Sequence, residues 1–277
     1  FVLISFVYSA LLFGKFDRKE FHISNSQMHE RSIFWSPLTS YFFPGFGQYL
    51  EGQISYGLAY SSGAITGVGI YYASEEIKQE NLVKYGDEPY ASYKLLGFKI
   101  KDASGSLSAY HDFHTAIRSR ENDFRFIKKE DSIAEILWAP FDYRHILDSR
   151  IWPVLLSGTV LAFLPRTVKK YSRSLPNRIT STVGVSYLAG VGEEALFRGW
   201  IMPVIHYKVN ESFLLSNSLQ SLLFGAAHYS GSNPVPWRQV LMGAYFGWLT
   251  KENNFSILPS TFLHHWWDVL ALGAMLL

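Results

Sequence analysis

"STVGVSYLAGVGEEALFRGWIMPVI" (residues 181–205) decides how this chain is read. Its first eleven residues carry no charge, and after Gly199 the chain returns to "WIMPVI". Between them stand two adjacent carboxylates, Glu193 and Glu194, and an arginine, Arg198. On insertion scales an ionised group at mid-membrane costs about 2.5 kcal/mol or more, so these three are kept against a penalty. Read as a helix, the stretch puts Glu194 and Arg198 at i and i+4 with the acid first, the favourable order for a side-chain pair. Glu193 is rotated about 100° from Glu194 and falls on the stripe of Phe197 and Trp200. One carboxylate is therefore pinned and its neighbour left free, the position of a general base.

The composition around this stretch points the same way. The 277 residues are 48% hydrophobic, 17% aromatic and only 17% charged, against about 25% charged in an average soluble domain. Residues 74–150 hold 26 of the 48 Asp, Glu, Lys and Arg side chains, which leaves the remainder sparsely charged. Apolar stretches lie at 1–14, 34–73, 151–165, 180–207, 213–227, 235–250 and 255–277, several near the ~20 residues that a spanning helix needs. These features predict an all-α fold, a polytopic transmembrane helical bundle with a polar, partly helical insertion. Three regions follow: N-terminal membrane segments (1–74), a charged and amphipathic insertion (75–150), and a C-terminal domain (151–277).

The short loop "RTVKKYSRSLPNR" (166–178) has five basic residues and no acid, so the positive-inside rule places it in the cytoplasm. The opening run "FVLISFVYSALLFGK" reads equally as a signal-peptide remnant or a first spanning helix. No cysteine is present, which excludes thiolate chemistry, disulfides and Cys-based metal sites. A net charge of +2 without a basic stripe gives no sign of a nucleic-acid partner.

In residues 36–74, Pro44-Gly45 interrupts a helix and a run of small residues (Gly57, Ala59, Ser61, Ser62, Gly63, Ala64) suits close helix packing. "PGFGQYLEGQISYG" resembles the PGxGQ membrane hairpin at the N-terminus of assorted bacterial membrane proteins. In the insertion, His111 and His114 lack a third ligand at useful spacing and are read as part of a solvated or interfacial amphipathic stretch. Trp138 and Trp152 mark an aromatic approach to the next apolar helix.

Two more polar features follow on apolar segments. In "SLLFGAAHYSG" (221–231), His228 lies one turn after Phe224, and the small residues between them let another helix approach. In "ILPSTFLHHWWDVLALGAMLL" (257–277), His264 and Asp268 share a face at i and i+4, with His265 on the neighbouring face. Taken singly, each has an ordinary structural explanation, a helix-locking ion pair or a satisfied core histidine. Three on three successive apolar segments supply a base, two imidazoles and a further carboxyl, a set suited to activating water.

Glu-Glu-x-x-x-Arg at 193–198, Phe-x-x-x-His at 224–228 and His-x-x-x-Asp at 264–268 together resemble the CPBP family of intramembrane proteases. This is the CAAX protease and bacteriocin-processing group, also called Abi. The resemblance covers residues 150–277. It implies a multi-pass protein of a bacterial cell membrane, with a lipid bilayer and a membrane-associated protein or peptide substrate as its partners. It also implies an endopeptidase in which Glu193 is the general base and His228 positions or polarises the water. Glu194 and Arg198 would organise the site, while His264 and position 268 would stabilise the oxyanion. Asp268 stands where the family commonly has Asn, and an ionised Asp cannot donate to an oxyanion. No cofactor is expected, with zinc held by Glu193, His228, His264 and Asp268 as the alternative. Competing readings are a membrane transporter or ion pathway and a non-catalytic membrane scaffold. The chain lacks the paired broken helices of a repeat-built transporter.

Overall fold

In the computed structural model the described residues are 32–81, 88–118, 120, 122–163, 180–230 and 234–276. The opening run 1–14 and the basic loop 166–178 lie outside them, and with them the expectations for leader and topology. Eleven α-helices occur among the described residues: α1 (Trp35–Phe42), α2 (Phe46–Leu50), α3 (Ile54–Asn81), α4 (Glu88–Arg118), α5 (Ile133–Trp138), α6 (Trp152–Phe163), α7 (Val185–Leu196), α8 (Met202–Lys208), α9 (Phe213–Ala227), α10 (Trp237–Glu252) and α11 (Leu258–Leu276). No β-strand occurs among the described residues, so the all-α expectation holds.

Within the described residues the apolar segments of the sequence become helices, because helical backbone satisfies its hydrogen bonds internally while small and apolar side chains pack on neighbours. The Pro44-Gly45 break is real. α1 ends at Phe42, and Gly45 takes φ +94° to start α2. A Cβ there would collide with the Gly57 carbonyl oxygen, so only glycine lets the hairpin close on α3.

Most of residues 96–117 are buried, contrary to the solvated stretch expected for the insertion. Leu96, Ile100, Ala103, Leu107 and Tyr110 form one buried stripe of α4 against Val185, Leu188, Val191 and Ala195 of α7. This stripe has the helical period, but the intervening Lys99, Lys101 and Asp102 hide it in a composition count. His111 and His114 are both buried, and the Tyr60 hydroxyl lies 3.1 Å from His111 Nδ1. Asp112, fully buried, accepts from Ser40 Oγ (2.7 Å) and Ser36 Oγ (2.9 Å) of α1. In the PGxGQ stretch, Gly45 N donates to Ser108 Oγ (2.9 Å) and Gln48 Nε2 to the Ser108 carbonyl (3.1 Å), which pins the hairpin to α4.

Among the described residues no helix is long and apolar enough to cross a membrane. The helical path from Thr180 to Lys208 is continuous, but π turns at Thr180–Gly184 and Phe197–Ile201 divide it and Glu193, Glu194 and Arg198 interrupt its apolar run. The polar side chains that make the chain interesting are the ones that break up its hydropathy.

Candidate active site

Glu193 and Glu194 occupy the last turn of α7, immediately before the Phe197–Ile201 π turn that contains Arg198. Single π turns inside α-helices recur at functional sites. The expected i, i+4 pair forms: Arg198 Nη1 donates to Glu194 Oε1 at 2.9 Å, with both side chains fully buried. Arg198 Nη2 also donates to the Gly243 carbonyl of α10 (3.1 Å), and the guanidinium lies 4.4 Å from the Phe224 ring centroid. Phe224 thereby links the first motif to the second, a role that its spacing alone did not reveal.

His228 caps the C-terminus of α9. Its Nδ1 lies 2.8 Å from the Phe224 carbonyl oxygen, one turn back. A carbonyl only accepts, so Nδ1 carries the proton and Nε2 is left to face Glu193 Oε2 at 3.6 Å. His264 repeats this arrangement from α11. Its Nδ1 donates to Glu194 Oε1 at 2.8 Å, its ring stacks on Phe246 with centroids 4.9 Å apart, and its Nε2 faces Glu193 Oε2 at 3.7 Å. Asp268 Oδ2 lies 3.7 Å from the same Nε2. All six residues singled out in the sequence thus meet at one place, and Glu193 Oε2, buried and without a hydrogen bond among the described residues, points between two imidazole nitrogens. His265 turns away, toward Phe141, Tyr187 and Trp266.

One member of the cluster was missed. Lys99 of α4 donates to Glu193 Oε1 at 2.5 Å, so Glu193 is not the unpaired carboxylate that the helix stripe suggested. The close approach depends on Gly192, where a Cβ would sit 2.8 Å from Ala103 Cα. With Ala103 seated there, Lys99 stands one turn back on α4, level with Glu193. Nothing in the local sequence separates Lys99 from Lys94 and Lys101, which lie over tyrosine rings instead.

Among the described residues no group of three or more His, Asp or Glu side chains is arranged to hold a metal ion. One oxygen of Glu193 accepts from the Lys99 ammonium, and Glu194 Oε1 is shared by Arg198 and His264.

The sequence from 175 to 270 matches the family model described as type II CAAX prenyl endopeptidase Rce1-like. The match covers about a third of the chain and is a likeness to the CAAX proteases over that span. No curated protein and no solved structure matches the chain. The matched span contains the motifs at 193–198, 224–228 and 264–268, whereas Lys99 lies outside it. Proteases of this family are integral membrane enzymes that act on membrane-associated proteins.

The position of α11, which brings His264 and Asp268, is held from the loop before α5. Asp131 accepts from Ile257 N (2.7 Å) and Ser256 Oγ (2.9 Å) at the start of that helix. Burial pushes the Asp131 carboxyl up from 3.8 to about 6, against the opposing pull of those two donors. The folded chain therefore binds this proton at pH values where the unfolded chain has released it. The group's contribution to stability is largest below about pH 4 and declines as pH rises through about 6. In Asp131→Ala the capping acceptor is lost, at about 1–3 kcal/mol, and that part of the pH dependence disappears. Denaturant unfolding at pH 4, 5 and 6 checks both expectations.

Proposed function

We propose that the protein is an intramembrane endopeptidase in which Glu193 and His228 activate a water molecule for attack on a peptide bond. The observation that carries this reading is the convergence of His228 Nε2 and His264 Nε2 on Glu193 Oε2, at 3.6 and 3.7 Å. These separations suit a water lodged among the three atoms, donating to Glu193 Oε2 and His228 Nε2 and accepting from His264 Nε2 when that nitrogen carries a proton, better than direct contacts between them.

In the proposed reaction the water oxygen bonds to the scissile carbonyl carbon while Glu193 Oε2 takes its proton. That proton passes to the leaving amine as the C–N bond breaks. His228 accepts from the same water and fixes its orientation. His264, anchored through Nδ1 to Glu194, donates from Nε2 to the developing oxyanion when that nitrogen carries a proton. Asp268, an acceptor in place of the usual amide donor, acts by orienting His264. Glu194 and Arg198 hold the imidazole and the two helices in register. The reading is metal-free, and it is supported by the Lys99 ammonium, which repels a dication from Glu193.

The membrane setting is supported by an inverted distribution of side chains. Leu58, Ile65 and Tyr72 of α3, Leu156 and Val160 of α6, and Leu214 and Leu222 of α9 are exposed, whereas Ser106, Ser108, Asp112, Glu194 and Arg198 are buried. Large outward apolar surface of this kind marks contact with lipid or a partner.

The test works with an unidentified substrate. Protein termini in membranes from cells making the wild-type chain are compared with those from cells making Glu193→Gln. The expected result is a set of new termini present only with the wild type, and identical sets would refute the reading. Once such a cleavage is known, EDTA or 1,10-phenanthroline should leave its rate unchanged in the purified protein. Loss of activity restored by zinc would overturn the metal-free chemistry.

A further inference from the structure

Lys99 enters the site from α4, outside the residues that match the family model. We propose that it is a positioning residue for the Glu193 base, gripping Oε1 so that Oε2 is held against the two imidazoles, and that its charge offsets the carboxylate that Asp268 adds to the site. The inference rests on the hydrolytic reading above.

Four observations carry it. Among the described residues, Lys99 supplies the hydrogen bond that the Glu193 side chain accepts, while Oε2 accepts none. The pair is shielded, with side-chain exposures of 17% and 8%, so the ammonium is weakly screened and orients the carboxylate strongly. A free Glu has three rotatable side-chain bonds, and one anchored oxygen removes most of that freedom. Finally, three carboxylates gather here, Glu193, Glu194 and Asp268, and Arg198 neutralises only Glu194. Without Lys99 the site would collect still more negative charge as the tetrahedral oxyanion forms, which opposes the reaction.

An ammonium on Oε1 also withdraws some basicity from Oε2. Lys99 therefore acts through geometry and charge balance, not by making Glu193 a stronger base. Its neighbours do not share the task. Lys101 lies over the Tyr41 ring, and Asp102 accepts from the Tyr41 hydroxyl at 2.6 Å.

The test uses the full chain in lipid vesicles and a peptide spanning one of the Glu193-dependent cleavage sites. Lys99→Met keeps the length of the side chain and removes its charge. It should lower kcat by about 100-fold, the scale of a small misplacement of reacting groups, with KM changed less than about twofold. The melting temperature should stay close to that of the wild type. Lys99→Arg should recover activity to within about tenfold of wild type, since its charge is retained and its geometry differs. The chain has no cysteine, so Lys99→Cys introduces a single thiol. Treating that variant with bromoethylamine places an ammonium at the reach of lysine and should raise kcat by about tenfold, whereas an uncharged methylthio adduct should not.

Lys99→Met that cleaves at the wild-type rate while Glu193→Gln is inactive would overturn the inference and leave the protease reading standing. Equal recovery with the charged and uncharged adducts would reduce Lys99 to packing. If Glu193→Gln itself cleaves normally, both fall together.

Discussion

Glu193→Gln should lose about 10²–10⁴-fold in cleavage rate, the usual contribution of a positioned general base, and keep its fold. The replacement is nearly isosteric. Its amide oxygen can still accept from Lys99, so the contact between α4 and α7 persists. What vanishes is an atom that can take a proton from water between His228 Nε2 and His264 Nε2. The rate on a Glu193-dependent peptide and the melting temperature, measured on the same preparation, separate chemistry from folding. A large fall in the first with little change in the second is expected. Full activity would remove Glu193 from the reaction.

Arg198→Leu should act on stability instead. Arg198 is fully buried, bonded to Glu194 and to the Gly243 carbonyl, and lies against the Phe224 ring. Removing it leaves a buried carboxylate without its ion-pair partner, a change that costs about 3–5 kcal/mol. Melting temperature should fall steeply, and catalysis with it, because Glu194 also holds His264. The second change Glu194→Leu should restore much of the stability by removing the orphaned charge, but not the activity. A single variant that melts like the wild type would mean that the pair contributes little to holding α7, α9 and α10 together.

The sequence and the structure agree best where local spacing does the work. Glu194 and Arg198 pair as i and i+4, and His264 and Asp268 fall on one face because a helix puts them there. The meeting of those motifs is a long-range result that spacing cannot supply, although charged groups on three apolar segments hint at it. Lys99 was unreadable, because a lysine in "KLLGFKIKD" has the same appearance whether it faces solvent or a buried carboxylate. The burial of α4 was masked in a similar way. Its apolar stripe is regular, but the charged residues between make the segment look like a polar insertion. The π turn at Phe197–Ile201 also has no clear sequence mark. It becomes visible only with the helix in place.

The central claim is that Glu193 and His228 act on one water. The most direct test compares single-turnover rates of Glu193→Gln, His228→Ala and the double variant on the same peptide. Groups that serve one step as a unit give strongly non-additive losses, so the double variant should be no slower than the worse single one. Losses that multiply would mean that the two residues act independently, and the shared-water site would be contradicted.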